Sequence, residues 1–352
     1  MQSFDYIIVG QGIAGSLLGY QLIKAGRRVM VLNDESIPTS SAVAGGIFNP
    51  ITGKNLDKTW LADTIFPYFK TFYLSLEKET HSHFYHETNL FRPYANEQQR
   101  KHFLRLTDEF DLDKYISLVK PDRYSEIENH LGGLYTTSAG WVDVPLMIES
   151  LRQLFIQSEA YKAERFDYKA LDISDTQVVY KNFQASKIIF CEGYYASQNP
   201  YFNWLPFNPA KGETLIATMP DYSITEIVNQ GTWIIPLGSE QCRFGSTYVW
   251  NSLDWQTTPE SKETITEKTD KFLKTSYTIT HQQAGIRPTT KDRRPFLGNH
   301  PAYSNVFVFN GLGTKGVSLA PYFASELLFF LENDKDLLPE SNIRRFYSLY
   351  SL

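Results

Sequence analysis

The stretch "YIIVGQGIAGSLLGYQLIKAGRRVMVLN", from Tyr6 to Asn33, constrains the fold more than any other part of the chain. Tyr6–Val9 is a short apolar run with β-branched residues, which predicts a strand buried on both faces. Gly10 suits a tight turn. Gly12, followed by Ile13 and Ala14, lets backbone approach a pyrophosphate, and Gly15 lets the next helix pack close to the strand. The start of that helix offers unpaired N–H groups and a partial positive charge to phosphate. Leu17, Leu18, Leu22 and Ile23 supply its inward face, Gly26 ends it, and Val29–Leu32 reads as a second strand. Strand, glycine turn, helix and strand in this register predict a parallel α/β sheet that binds a dinucleotide. An acidic residue is expected at the end of the second strand to hold the adenosine ribose. The chain has Asn33 there and Asp34 next, so either residue is a candidate for that contact.

A chain of 352 residues exceeds the usual size of one domain, which predicts two domains or one large α/β unit. The net charge of −5, with no run of like charges, argues against nucleic-acid and anionic-membrane partners. No apolar run approaches the roughly 20 residues that a membrane helix needs, and no leader-like segment precedes the first strand. A cytoplasmic protein is expected. Cys191 and Cys242 follow strand-like runs and are expected to be core thiols rather than a disulfide. His81, His83 and His86 fall close together in "HSHFYHE" but complete no metal-ligand spacing, so no metal site is expected.

Two further glycine-rich stretches follow the first: "TSSAVAGGIFNP" at Thr39–Pro50 and "FNGLGTKGVSLAP" at Phe309–Pro321. Together with the N-terminal unit, and with "GWVDVPLMIESLRQLF", "SKIIFCEGYYA", "AKGETL" and "GIRPTTKDRRPFLG", they resemble the D-amino acid oxidase family of flavoproteins, which includes glycine oxidase. The resemblance implies a mixed α/β (α+β) fold, a Rossmann-like FAD-binding domain interleaved with a mainly antiparallel substrate sheet. The FAD-binding pieces are expected at 1–76, 140–205 and 285–352, and the substrate pieces at 77–139 and 206–284. Little resemblance extends over about Leu76–Gly140.

Carried over, Ser40, Ser41 and Ala42 would lie near the phosphates, and Ala44, Gly45 and Gly46 near the isoalloxazine, where only small side chains admit a flat ring. Gly193 would close the cofactor sheet. In the last loop Gly311, Leu312, Gly313, Thr314, Lys315 and Gly316 would meet the pyrimidine end of the flavin. There the N–H groups of the three glycines and the helix start would stabilise developing negative charge. Pro321 is expected in the first turn of that helix. Both cysteines lie outside the stretches where relatives attach the ring, so non-covalent FAD is expected. Arg287 would hold a substrate carboxylate through two charge-assisted hydrogen bonds. Trp233 stands where glycine oxidase has a pocket tyrosine, Tyr248 is a candidate for the flavin face, and Arg243 lies near the place of an oxygen-activating lysine.

The activity implied is oxidation of the C–N bond of an amino acid or a secondary amine carrying a carboxylate. Dioxygen or another electron acceptor would follow. The last loop also resembles the oxidase half of a bifunctional tRNA-modifying enzyme, which makes a carboxymethylaminomethyl-type uridine an alternative substrate. A nicotinamide dehydrogenase is a third reading, opposed by the resemblance running on through Gly316.

Overall fold

The computed structural model describes residues 1–333 and 335–350. The N-terminal unit has the predicted order, but its first strand is longer, running Gln2–Val9. Gln2, Ser3 and Phe4 pair in parallel with Phe183, Gln184 and Ala185, so the ladder extends to the N-terminal side of the apolar run. The helix Ile13–Lys24 and the strand Val29–Asn33 follow. Leu17, Leu18 and Leu22 are fully buried.

The first eight-stranded sheet has this unit at its centre. Its order is Tyr161–Ala163, Val29–Asn33, Gln2–Val9, Phe183–Phe190, Val178–Tyr180 and Leu171–Ile173. Val306–Asn310 pairs in parallel with Phe183–Phe190, and Phe296–Asn299 pairs antiparallel with Val306–Asn310. The central strands are apolar in nearly continuous runs because both faces are covered. One face packs on the helices Ile13–Lys24, Ala62–Thr80, Val144–Gln157 and Gly316–Asn333 through Leu18, Phe69, Phe155, Phe323 and Leu327. On the other, Phe183, Phe190, Phe202 and Phe296 form a second core. Asp143 caps the helix Val144–Gln157, accepting from the Leu146 N–H, with Pro145 in its first turn.

The second eight-stranded sheet is mainly antiparallel: Thr278–Arg287, Ala210–Thr218, Gln241–Gly245, Trp233–Gly238, Ile227–Asn229, Leu90–Pro93, Gly133–Thr136 and Ile116–Val119. Only Ile227–Asn229 and Leu90–Pro93 run parallel. Three of these strands come from 77–139, so the segment of least resemblance completes one end of this sheet. The ladder of Gln241–Gly245 ends at Gly245; beyond it Val249 makes one isolated bridge with Lys211, and the residues from Ser246 onward form an arm beside the sheet.

Pro321 differs from expectation. It lies inside the helix Gly316–Asn333, beyond the first turn. A proline there cannot donate to the carbonyl four residues earlier, that of Val317. The fully buried Tyr73 hydroxyl donates to this carbonyl instead, at 2.7 Å.

Among the described residues no helix is long and apolar enough to cross a membrane. Cys191 and Cys242 are buried free thiols. His86 stacks on Trp141 with ring centroids 4.1 Å apart, and the ring of His83 lies 3.1 Å from the Glu77 carboxylate.

Candidate functional site

A cavity of about 820 Å³ runs between the two large sheets. From the first sheet it is lined by Gly10, Gly12, Ile13, Ala14, Asn33, Asp34 and Gly193, and from the connecting stretch by Ser40, Ser41, Ala44, Gly45 and Gly46. Leu312, Gly313, Thr314 and Gly316 close one end; Trp233, Tyr248 and Arg287 enter from the second sheet and its arm. Segments some three hundred residues apart thus face one space. Five of the expected residues do not line it: Gly15, Ala42, Arg243, Gly311 and Lys315.

Gly15 serves the turn from behind. A side chain there would run into the Gly10 carbonyl, so the helix could not approach the strand. At Gly12 the nearest atom to a β-carbon would be the Ser41 Oγ at 3.3 Å, which leaves the loop open towards the cavity. Ser41 Oγ also accepts from the Ile13 N–H at 3.2 Å. Asn33 is committed locally, its Oδ1 accepting from the Gln11 N–H at 2.9 Å. Asp34 differs: its Oδ1 accepts from Ser36, whereas its buried Oδ2 has no hydrogen-bond partner, the Arg165 Nε standing 4.0 Å away. The Ser36 hydroxyl holds the Asp34 carboxyl below its ordinary range. Buried carboxylate oxygens ordinarily have partners, so Asp34 rather than Asn33 has an acceptor free for a ribose hydroxyl. The Thr214 Oγ1 is a second buried polar atom on the cavity wall without a partner.

The last loop differs from expectation in which amides are free. The Gly311 N–H is taken by the Asn310 Oδ1 at 2.7 Å, and that of Gly313 by the Pro288 carbonyl at 3.3 Å. The N–H groups of Leu312, Thr314, Gly316 and Val317 have no acceptor among the described residues. The positive end of the last helix is therefore offered by these four, with Gly311 and Gly313 shaping the turn at φ +74° and +56°. Lys315 turns away; its Nζ donates to the Thr59 Oγ1 at 3.1 Å. Burial, then the nearby Arg294 and Arg293, lower its pKa. Arg243 braces the stretch at Ala44–Gly46 from behind, its guanidinium donating to the Ala44 carbonyl at 2.7 Å while its Nε has no partner. Burial lowers its pKa. Ala42 is exposed.

Arg287 ends a strand of the second sheet and reaches the cavity across Gly212, where any side chain would displace the guanidinium. It donates to the Ser246 Oγ of the arm at 2.8 Å, and to the carbonyls of Thr247 and Lys211 at 3.2 and 3.4 Å. The Tyr248 ring lies 4.7 Å from its guanidinium carbon. Burial lowers its pKa, and it forms no ion pair among the described residues. Trp233 is seated against two glycines: β-carbons on Gly45 and Gly245 would lie 2.8 and 2.6 Å from its indole.

Glu192 was not among the expected residues. It lines the cavity beside Gly193, its carboxyl receiving the Asn199 amide at 2.6 Å and the Tyr168 hydroxyl. Burial pushes it up to about 7, against the pull of those hydrogen bonds. A charged residue directly after the apolar run "IIFC" was the available signal.

The unpartnered Asp34 oxygen, the open Gly12 turn and the free amides of the last loop together fit the ribose, pyrophosphate and ring of a flavin dinucleotide. The family described as "DAO: FAD dependent oxidoreductase" matches residues 5–328. The bifunctional tRNA 5-methylaminomethyl-2-thiouridine biosynthesis protein MnmC of Idiomarina loihiensis is 22% identical over 97% of this chain. This chain spans only 58% of that relative's length. Glycine oxidase of Bacillus subtilis is 23% identical, with 97% of each chain covered. The solved structure of glycine oxidase from Bacillus cereus superposes with a TM-score of 0.80 at 20% identity, covering 95% of this chain and 96% of that one. A family match that runs across most of the chain makes this protein a member of the FAD-dependent oxidoreductase family of D-amino acid oxidase type.

Proposed function

We propose that the protein oxidises the C–N bond of a small amino acid or secondary amine whose carboxylate is held by Arg287. The observation that carries this reading is a half-buried, partly desolvated guanidinium facing the cavity with only neutral oxygen partners. A cation desolvated in this way is costly unless an anion joins it, and a carboxylate fits its fork. When bound, FAD supplies the acceptor for the hydride leaving the carbon next to nitrogen. The amine also loses a proton, and water then hydrolyses the imine.

The protein's part is position and electrostatics. Arg287 fixes the carboxylate end of the substrate, and Trp233, seated on Gly45 and Gly245, forms a wall beside the ring-facing stretch. Gly10–Gly15 and Asp34 would hold the dinucleotide. The free amides of Leu312, Thr314, Gly316 and Val317 would face the end of the flavin where negative charge develops. The electrons would pass on to dioxygen or another acceptor.

A second reading is supported by the likeness to the tRNA-modifying protein. There the same amine would be carried on an RNA base, and Arg287 would hold the carboxylate of a carboxymethylaminomethyl group. The net charge of −5 opposes a broad RNA surface.

Anaerobic bleaching of the bound flavin by glycine, sarcosine and D-alanine tests the reading. Arg287→Ala should lower catalytic efficiency by about 30-fold to several thousandfold, with Arg287→Lys between it and the wild type. Equal losses for carboxylate and non-carboxylate amines would make Arg287 structural and sink the assignment.

A further inference from the structure

Two large aromatic side chains beside the cavity stay in water: Tyr248 is 41% exposed and Trp250 57%. Both belong to the arm Ser246–Thr257 that leaves the second sheet. The arm is firmly held. Val249 and Lys211 exchange both backbone hydrogen bonds, at 2.8 and 2.9 Å. The Lys211 side chain, 2% exposed, bonds the Asp254 carboxylate at 2.6 Å, with Glu213 at 3.7 Å. Asp254 in turn accepts from the Ser252 hydroxyl and the Gln256 N–H. Trp255 then stacks on Tyr195, ring centroids 6.0 Å apart, and meets Tyr194 edge-on.

Burying a lysine is expensive unless its charge is well paired. Here that expense fixes a surface segment whose own apolar rings remain bare. Two successive contacts, of 4.7 and 4.6 Å, lead from the Arg287 guanidinium across Tyr248 to Trp250. Exposed aromatic rings on a rigid support beside an anion-binding cation suit a ligand with a carboxylate at one end and a flat ring at the other.

We infer that Tyr248 and Trp250 form a stacking surface for a planar ring carried by the substrate, next to the carboxylate held by Arg287. The inference rests on the carboxylate reading above and narrows its substrate class from simple amino acids to ring-bearing ones. The ring would belong either to a free N-arylmethyl amino acid or to a nucleobase bearing the amine.

Calorimetric titration of the FAD-loaded protein tests the surface without turnover, using propionate and 3-phenylpropionate, which carry no amine to oxidise. Phenylpropionate should bind about 5- to 100-fold more tightly. Trp250→Ala should bring the ratio of the two dissociation constants down at least about fivefold, and Trp250→Phe should restore most of it. Flavin absorbance checks that each variant is loaded. A wild-type ratio near one, or a ratio that survives Trp250→Ala, overturns the stacking surface and leaves the carboxylate reading standing. Failure of both carboxylates to bind, or equal binding by Arg287→Ala, overturns the carboxylate reading and the surface with it. Anaerobic bleaching then separates the sources of the ring. A gain over sarcosine with N-benzylglycine assigns it to a free amino acid, and a gain only with carboxymethylaminomethyluridine assigns it to a nucleobase; either supports the surface.

Discussion

Glu192 shows how one carboxyl couples the cofactor cavity to pH. Its pKa of about 7 against an ordinary 4.5 means that the folded protein keeps a proton which the unfolded chain gives up. Stability from this group is present in full below the unfolded value and is lost as pH rises through the folded one. Glu192→Gln stays neutral, with its oxygen left to accept from the Asn199 amide and its NH2 group able to donate to the Tyr168 hydroxyl oxygen. Other acidic groups line the same cavity, among them Asp34, Glu164 and Asp167, so the difference between variant and wild type is the informative quantity. Between about pH 5 and about pH 8 the melting temperature of the wild type should fall relative to that of Glu192→Gln. A difference that stays flat across this window would mean that the carboxyl does not titrate there.

Helices show where the sequence was readable and where it was not. The helix Val144–Gln157 announces itself locally, with Asp143 as cap and Pro145 in its first turn, and the structure has both. The last helix announces only its start. Pro321 sits deeper than its spacing suggested, and the group that makes this tolerable, Tyr73, lies 244 positions before the Val317 carbonyl it serves. Similar long-range partners explain why Gly212, Gly245 and Lys211 escaped notice: each is explained by Arg287, Trp233 or Asp254, contacts that no local pattern encodes. The glycine turns were legible because backbone conformation is a local property. Which of their amides remain free was not, since Asn310 and Pro288 decide it. Removing the Tyr73 hydroxyl should leave the Val317 carbonyl buried and unpaired, so Tyr73→Phe should cost about 1–3 kcal/mol in urea unfolding. In a Pro321→Ala background the helix can supply the missing N–H, and the same substitution should then cost less. An unchanged cost in both backgrounds would show that the hydroxyl does not stand in for the missing helix donor.

At the scale of the whole molecule, the cavity is a joint between two sheets. Gly12 and Asp34 come from one sheet, and Thr214, Trp233 and Arg287 from the other. A ligand that touches both should stabilise the entire chain. Binding to the folded state alone contributes about 2.7 kcal/mol at a free concentration one hundred times the dissociation constant. For a chain of this size that is a rise of several degrees in melting temperature. The cofactor is expected to be held without a covalent link, so acid precipitation should leave a colourless pellet and a yellow supernatant. Apoprotein prepared under milder conditions should regain the full melting temperature on addition of FAD. Gly12→Val places a branched side chain where the turn opens on the cavity, with Ser41 Oγ as its nearest neighbour. That variant should melt near the apoprotein value and show little response to FAD, because its sheets are intact while the pyrophosphate cannot approach. A normal response by Gly12→Val would remove the glycine turn from the cofactor site. A variant that melts well below the apoprotein would instead mean that the turn supports the fold itself.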